Sequence, residues 1–200
     1  MDFERGKRLH LKIRKPLGLA AAVSVFALCA WLGLGDFLYQ TGQTDAVLKV
    51  MPFHTDALSS AMKKTADPDE LDTLADRILH LNPTHALAYS AKANAAYARG
   101  RIAEMMRYKE EAIRLTPYTA EEYCDYIQKL YTLLEYYVQS GDTESASFCL
   151  DRMLSIPDQI ARVSAKTDPL TALVGKNTTL VLPKAYRQLL EALAAENGIT

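Results

Sequence analysis

The 200-residue chain is poor in the residues that build compact chemical sites: three cysteines, four histidines, one tryptophan and nine glycines. No two cysteines form a C-x-x-C pair. No histidine has a partner four residues away, the spacing that sets two ligands on one helical face, so no metal-binding signature is present. Glycine-rich phosphate-binding signatures are missing too. The formal charge is −1, unevenly spread: within the first fifteen residues Arg5, Lys7, Arg8, Lys12, Arg14 and Lys15 face only Asp2 and Glu4, a net of +4. The rest of the chain therefore carries about −5, without the basic footprint of a nucleic-acid-binding surface.

The cysteines also fail as a disulfide framework. Cys29 lies in an apolar run. If a hairpin turns at Gly141, Cys124 precedes the turn by about 17 residues and Cys149 follows it by about 8. At ~1.5 Å of rise per residue their heights differ by more than ~10 Å, whereas a bridge needs Cα atoms within about 7 Å. Both read as packing or surface thiols. The acid pairs Asp69-Glu70, Glu110-Glu111 and Glu121-Glu122 are adjacent in sequence, splay by about 100° on a helix, and read as solvated faces rather than catalytic dyads. No nucleophile motif stands out, so the expectation is a chain that is not an enzyme and carries no cofactor.

What the sequence does contain begins with LGLAAAVSVFALCAWLGLG, Leu17 to Gly35, about 19 residues without a charge and close to the length that crosses a hydrocarbon core as a helix. Pro16 is suited to a first helical turn, Trp31 and Tyr39 to the far interface, and Asp36 ends the run. All six cations precede it, so the positive-inside rule puts the N-terminus in the cytoplasm and residues beyond about 40 outside. A cleaved signal peptide shares the basic start, but this run is long for one and no small-x-small site closes it. Leu28, not a small residue, precedes Cys29, which argues against a lipoprotein. A buried helix of a soluble protein is the third alternative; an uncleaved single-pass anchor is expected.

The soluble part repeats itself. ILHLNPTHALAY, Ile78 to Tyr89, and AIRLTPYTAEEY, Ala112 to Tyr123, place Pro83 and Pro117 34 residues apart, and the same offset relates Leu81 to Leu115, Ala86 to Ala120 and Tyr89 to Tyr123. Apolar residues recur at helical spacing, as in Leu71, Leu74, Ile78 and Leu81. Pro52, Pro83, Pro117 and Pro157 each follow an amphipathic run and stop it, and Gly100 and Gly141 suit the turns between helices. Asp67-Pro68-Asp69-Glu70 supplies a cap, a first-turn proline and acids at the positive helix end. The predicted helix pairs are 55–65 with 68–81, 85–99 with 102–115, and a lengthened pair, 119–139 with 142–155. A short helix is expected within Val47 to Val50. After Pro157, residues 158–165 read as helical, Lys166 to Pro183 as extended, and 183–196, with Tyr186, Leu189, Leu190 and Leu193, as a capping helix. The sequon Asn177-Thr178-Thr179 matters only in a glycosylating secretory pathway.

One segment is rich in tyrosine: Tyr123, Tyr126, Tyr131, Tyr136 and Tyr137. It reads either as a stacking surface for a peptide or sugar, or as a buried stripe of Tyr123, Tyr126, Ile127, Leu130, Leu134 and Tyr137 with the other tyrosines half exposed; the three-and-four spacing favours the stripe.

The unit from Ala86 to Pro117 resembles a tetratricopeptide repeat (TPR). Tyr89 stands at the first aromatic position, Ala93 at the small position, Gly100 at the turn, Ala112 at the late alanine and Pro117 at the end, while Met105 departs from the early alanine. With the anchor and the capping helix read above, the resemblance completes the expectation of an all-α fold: one N-terminal transmembrane helix, then a short TPR-like α-solenoid of about three helical hairpins, closed by a C-terminal capping helix. Residues 1–16 form the basic cytoplasmic segment, 17–39 the anchor, 42–157 the repeats, and 158–200 the extended segment and cap. It also implies that the first helix of each pair lines a groove, which nominates Asn94, Tyr97, Gln128 and Tyr131, with Tyr136 from the same tyrosine-rich helix. The family's basic clamp for a terminal carboxylate is not evident.

An apolar outward helix running into AIRLTPYTAEEYCDYIQKL, SGDTESASFCLDRMLSIP and a KTDPL…TTLVLP tail is also similar to the extracytoplasmic C-terminal region of some bacterial O-antigen ligase or Wzy-type polymerase family proteins. That resemblance implies a membrane-anchored protein-interaction module of the bacterial cell envelope, accessory to surface-polysaccharide assembly and partnered by membrane or envelope proteins. The alternative is a glycan-contacting C-terminal fragment of such an enzyme. The chain is then a detached module or the tail of a longer reading frame. The family's catalytic residues lie between further membrane helices and have no counterpart here.

Overall fold

The computed structural model describes the backbone of residues 3–165 and 180–196, and the side chains of 20–164 and 180–196. Every regular element among them is an α-helix. The chain divides at Thr65 into two units.

In the first unit, α1 (Phe3–Gln40) is 38 residues long. It runs through Pro16 instead of starting there: the imide removes one bond of the ladder, but strong helix formers on both sides carry the helix past it. Its part Ala20–Gln40 is long and apolar enough to cross a membrane, and almost none of it is covered by protein. Gly42, at φ 78°, ends α1: its N–H donates to the Tyr39 carbonyl and that of Gln43 to the Leu38 carbonyl, the paired bonds of a Schellman turn. Then come α2 (Thr44–Val50) and α3 (Thr55–Lys64), which pack together around Val47, Ala57 and Leu58, all fully buried. Lys64 Nζ donates to Thr44 Oγ1 at 3.3 Å across the pair.

This corrects one sequence expectation. The segment 55–65 is covered by α2, and 68–81 finds its partner in the helix that follows it. Periodicity reveals that a helix has an apolar stripe; it does not say which neighbour covers it.

In the second unit, α4 (Pro68–Leu81), α5 (Ala86–Ala98) and α6 (Ile102–Leu115) pack in succession, and α7 (Ala120–Ser140) packs on α8 (Thr143–Leu154). Asp67 caps α4, its carboxylate accepting from the N–H groups of Asp69 and Glu70 at 3.3 and 3.4 Å. α5 is thin: Ala88, Ala91, Ala93, Ala95 and Ala96 are buried, so helices approach it closely on two sides. Met105, out of place in the TPR pattern, is fully buried there. Gly100 and Gly141, at φ 69° and 76°, end α5 and α7 with the same paired bonds as Gly42.

The turns at Pro83 and Pro117 repeat in detail. In the first, Asn82 N–H donates to the Ile78 carbonyl, His85 N–H to Asn82 and Tyr89 Oη to Pro83; in the second, 34 residues on, Thr116 N–H donates to Ala112, Thr119 N–H to Thr116 and Tyr123 Oη to Pro117.

The run before Pro157 does end, α8 stopping at Leu154, and Pro157 itself sits in the first turn of the next helix, α9 (Ile156–Ala165), where its missing N–H costs nothing. Leu180 to Pro183 are non-helical, with Leu180 and Leu182 buried and Val181 exposed, the alternation of an extended segment. The rest of the predicted extended stretch, residues 166–179 with the sequon, lies outside the described residues. α10 (Lys184–Glu196) packs on α8 and sets Leu190 into the main core, with Tyr186, Leu189 and Leu193 against it.

Candidate functional site

The core of the second unit fixes how α7 can present side chains. Tyr123, Tyr126, Ile127, Leu130 and Leu133 form its buried stripe, joined by Met105, Met106, Cys149, Met153 and Ile156. Each such side chain contributes about 1.5–3 kcal/mol by leaving water, so the rotation of α7 is firmly set. The expected stripe needs one change: Leu133 is buried, while Leu134 and Tyr137 are half-buried.

With that stripe inward, Asp125, Gln128, Lys129 and Thr132 face Asn94 and Tyr97 of α5 across a groove of about 420 Å³. Three of the five residues nominated from sequence, Asn94, Tyr97 and Gln128, therefore meet at one place. Asn94 and Gln128 are 34 residues apart and carry the same side-chain amide. Tyr131 and Tyr136 do not line it. Tyr131 is half-buried against the core, and its hydroxyl is engaged by Glu135, which raises its pKa; Tyr136 is 63% exposed, edge-on to Tyr137 with ring centres 5.5 Å apart.

Beneath the groove lies a charged cluster that none of the nominated residues belongs to. Lys109 of α6 is 2% exposed, with its Nζ 2.5 Å from Glu122 Oε2, 2.6 Å from Asp125 Oδ2 and 3.1 Å from Ser90 Oγ. Ser90 Oγ in turn donates to Glu122, and Lys129 Nζ pairs with Asp125 while sitting 5.7 Å from the centre of the Tyr97 ring. Two ammonium groups and two carboxylates thus balance, and the cluster ties α5, α6 and α7 together. Burial pushes the Asp125 carboxyl up, but the bonds and charges of Lys109 and Lys129 outweigh it and hold the group below its ordinary value.

The Ser90–Lys109 contact resembles a serine–lysine nucleophile pair, but its wiring is structural: Ser90 is 6% exposed and its hydroxyl already links Lys109 to Glu122. The signal for Lys109 was present: it is the one charge on the stripe Met105, Ala112, Ile113.

The acid pairs are not simply solvated. Glu110 accepts from Arg152 at 2.9 Å and from the Tyr126 hydroxyl at 3.2 Å, Glu111 from Arg114, and Asp69 and Asp72 from Arg99, because each carboxylate has a cation from the next turn or helix within reach. Lys92 bridges Asp72 and Asp76 at 2.8 and 2.6 Å, fastening α5 to α4. Among the described residues no group of three or more His, Cys, Asp or Glu could hold a metal, and Cys29, Cys124 and Cys149 are free thiols. No protein-family profile matches the chain, and no curated protein is similar to it in sequence.

Proposed function

We propose that this chain is a membrane-tethered interaction module of TPR type, its hairpins stacked as a short solenoid on the extracytoplasmic side, and its partner a membrane or envelope protein held in the groove between α5 and α7. The groove carries this reading: Asn94 and Gln128 stand one 34-residue step apart and present matching amides, each able to donate to and accept from an extended peptide backbone, beside the Tyr97 ring. Two further observations support it. The turn bonds recur at the same step, from Tyr89–Pro83 to Tyr123–Pro117. The first helix is long and apolar enough to serve as the tether, with its basic residues on one side. A role accessory to surface-polysaccharide assembly follows from the O-antigen ligase-like layout.

The second reading, a glycan-contacting part of such an enzyme, is favoured by one observation, the exposed Tyr136 ring set edge-on to Tyr137. Photocrosslinking separates the two. With a photoreactive residue at Gln128 in the full-length chain in its membrane, the first reading expects a discrete protein adduct that Tyr97→Ala removes and Tyr136→Ala leaves. Retention of polysaccharide that Tyr136→Ala abolishes, with no protein adduct, supports the second. The side of the membrane is read by an impermeant thiol reagent on Ser140→Cys in a cysteine-free background: labelling in intact cells is expected, and labelling only after lysis refutes the orientation.

A further inference from the structure

The end of α1 is not bare. The loop Met51–His54 folds back along it: the Phe53 ring meets Trp31 edge-on with centres 5.6 Å apart, and the His54 ring lies 5.2 Å from that of Tyr39. Two devices hold the loop there. Gly35 is buried, and a Cβ on it would come within 1.9 Å of Met51 Sδ, so a side chain there would displace the thioether. His54 Nδ1 accepts the Ala57 N–H at 3.2 Å, which leaves the hydrogen on Nε2, 3.2 Å from Asp36 Oδ1.

The level of this loop along α1 is the informative quantity. Asp36 marks where the apolar run ends, and Trp31 lies five residues before it. At ~1.5 Å per residue, Phe53 therefore touches α1 roughly 7 Å inside the run, the depth to which apolar faces enter the boundary between headgroups and acyl chains. Phe53 meets Trp31 yet remains 46% exposed. Electrostatics does not select the surface: from residue 20 to 65 Asp36, Asp45 and Asp56 balance Lys49, Lys63 and Lys64.

We propose that the Met51–His54 loop, pinned by Gly35 and Asp36, seats in the bilayer interface with Phe53 among the acyl chains, so that the first unit docks on a lipid surface as well as crossing it. This rests on α1 being a membrane span. The loop is then a second foothold of the first unit beside the span.

The test uses the full-length chain in phosphatidylcholine vesicles, with and without lipids brominated at acyl carbons 6 and 7. Trp31, the sole tryptophan, reports on the span. In a Trp31→Phe background, Phe53→Trp reports on the loop and Pro52→Trp gives an independent reading of it. The expected result is at least twofold quenching by bromine at Trp31 and in both loop variants. Quenching of Trp31 but of neither loop variant overturns the proposal and leaves the span intact. An unquenched Trp31 overturns the span and the proposal together.

Discussion

The Tyr123 hydroxyl donates to the Pro117 carbonyl at 3.2 Å, closing the turn that precedes the long helix α7. Its ring is 1% exposed, so the bond is sheltered, whereas the matching bond from Tyr89 to Pro83 is exposed. A buried hydrogen bond whose loss leaves an unpaired carbonyl is worth about 1 kcal/mol or somewhat more. Tyr123→Phe should therefore lower unfolding free energy by about that amount, and Tyr89→Phe by clearly less. Denaturant melts of the two variants check this; equal effects would refute the sheltering argument.

Lys109 offers a larger effect. Removing its ammonium takes the cation from Glu122, which is 16% exposed, and leaves Asp125, 38% exposed at the groove, to Lys129 alone. Breaking a fully buried ion pair from one side costs about 3–5 kcal/mol, and water at Asp125 reduces that figure. Lys109→Met is expected to destabilise by less than that range, and adding Glu122→Gln with Asp125→Asn should recover a substantial part of the loss. Failure of the triple variant to exceed the single one in stability would mean that the lysine stem, not the charge balance, matters.

Sequence patterning made the helices and their ends readable, because glycines at positive φ, the Asp67 cap and the proline turns act locally. The resemblance to a tetratricopeptide repeat, not the patterning, nominated Asn94, Tyr97 and Gln128, which the fold turns toward one groove, along with Tyr131 and Tyr136, which it does not. Lys109 escaped notice because a lone lysine in a helix rich in Glu and Arg reads as solvated until Glu122 and Asp125 arrive from another helix. The exchange of Leu133 for Leu134 in the stripe reflects adjacent leucines of equal hydrophobicity, between which only the neighbouring helices choose. The partner of segment 55–65 was hidden for a related reason: α2 is seven residues long, too short to show a period.

The acid side of the stability profile follows from two carboxyls. Asp125 and Asp72 are both buried enough to be pushed up, yet Lys109 and Lys129, and Lys92 and Arg99, respectively outweigh this and hold them below the ordinary 3.8. The folded chain therefore binds fewer protons than the unfolded one around that pH. Their contribution is fully present above about pH 4 and is lost as pH falls through the folded values. Melting temperature should decline with acidification below about pH 4, and Asp125→Asn should make the decline shallower, at the cost of a lower starting value. An unchanged slope in that variant would remove Asp125 from the account.

If the groove holds a peptide, its lining should separate binding from folding. Asn94 and Gln128 are exposed and make no core contact, so Asn94→Ala and Gln128→Ala should leave the melting temperature within about a degree or two of wild type. Loss of a central polar or aromatic contact in an interface costs more than about 1 kcal/mol, so each change, and Tyr97→Ala, should weaken partner affinity by about fivefold or more. Tyr136→Ala should leave affinity unchanged, since Tyr136 lies off the groove. Titration of the crosslinked partner against each variant measures all four, and a loss confined to Tyr136→Ala would move the site to the exposed tyrosine pair.

Gly35 is a closely packed position of the first unit. It needs no special φ; what it supplies is room, since a Cβ would lie 1.9 Å from Met51 Sδ and 3.3 Å from Met51 Cγ and Cε. Met51 is only 5% exposed, so its side chain can swing aside only by leaving its packing. Gly35→Ala should therefore force Met51 outward and loosen the Trp31–Phe53 and His54–Asp36 contacts that follow it in the loop, and Gly35→Val should do so further. Gly33, two residues earlier, is open: a Cβ there would meet no heavy atom within 4 Å, so Gly33→Ala is the matched control. Amide hydrogen exchange of Met51 and His54, whose N–H groups are bonded to the Val47 and Met51 carbonyls, is expected in vesicles to quicken by tenfold or more in Gly35→Ala, with the tenfold change equivalent to about 1.4 kcal/mol, and to remain unchanged in Gly33→Ala. Equal exchange in both variants would show that the loop does not depend on the close approach at Gly35.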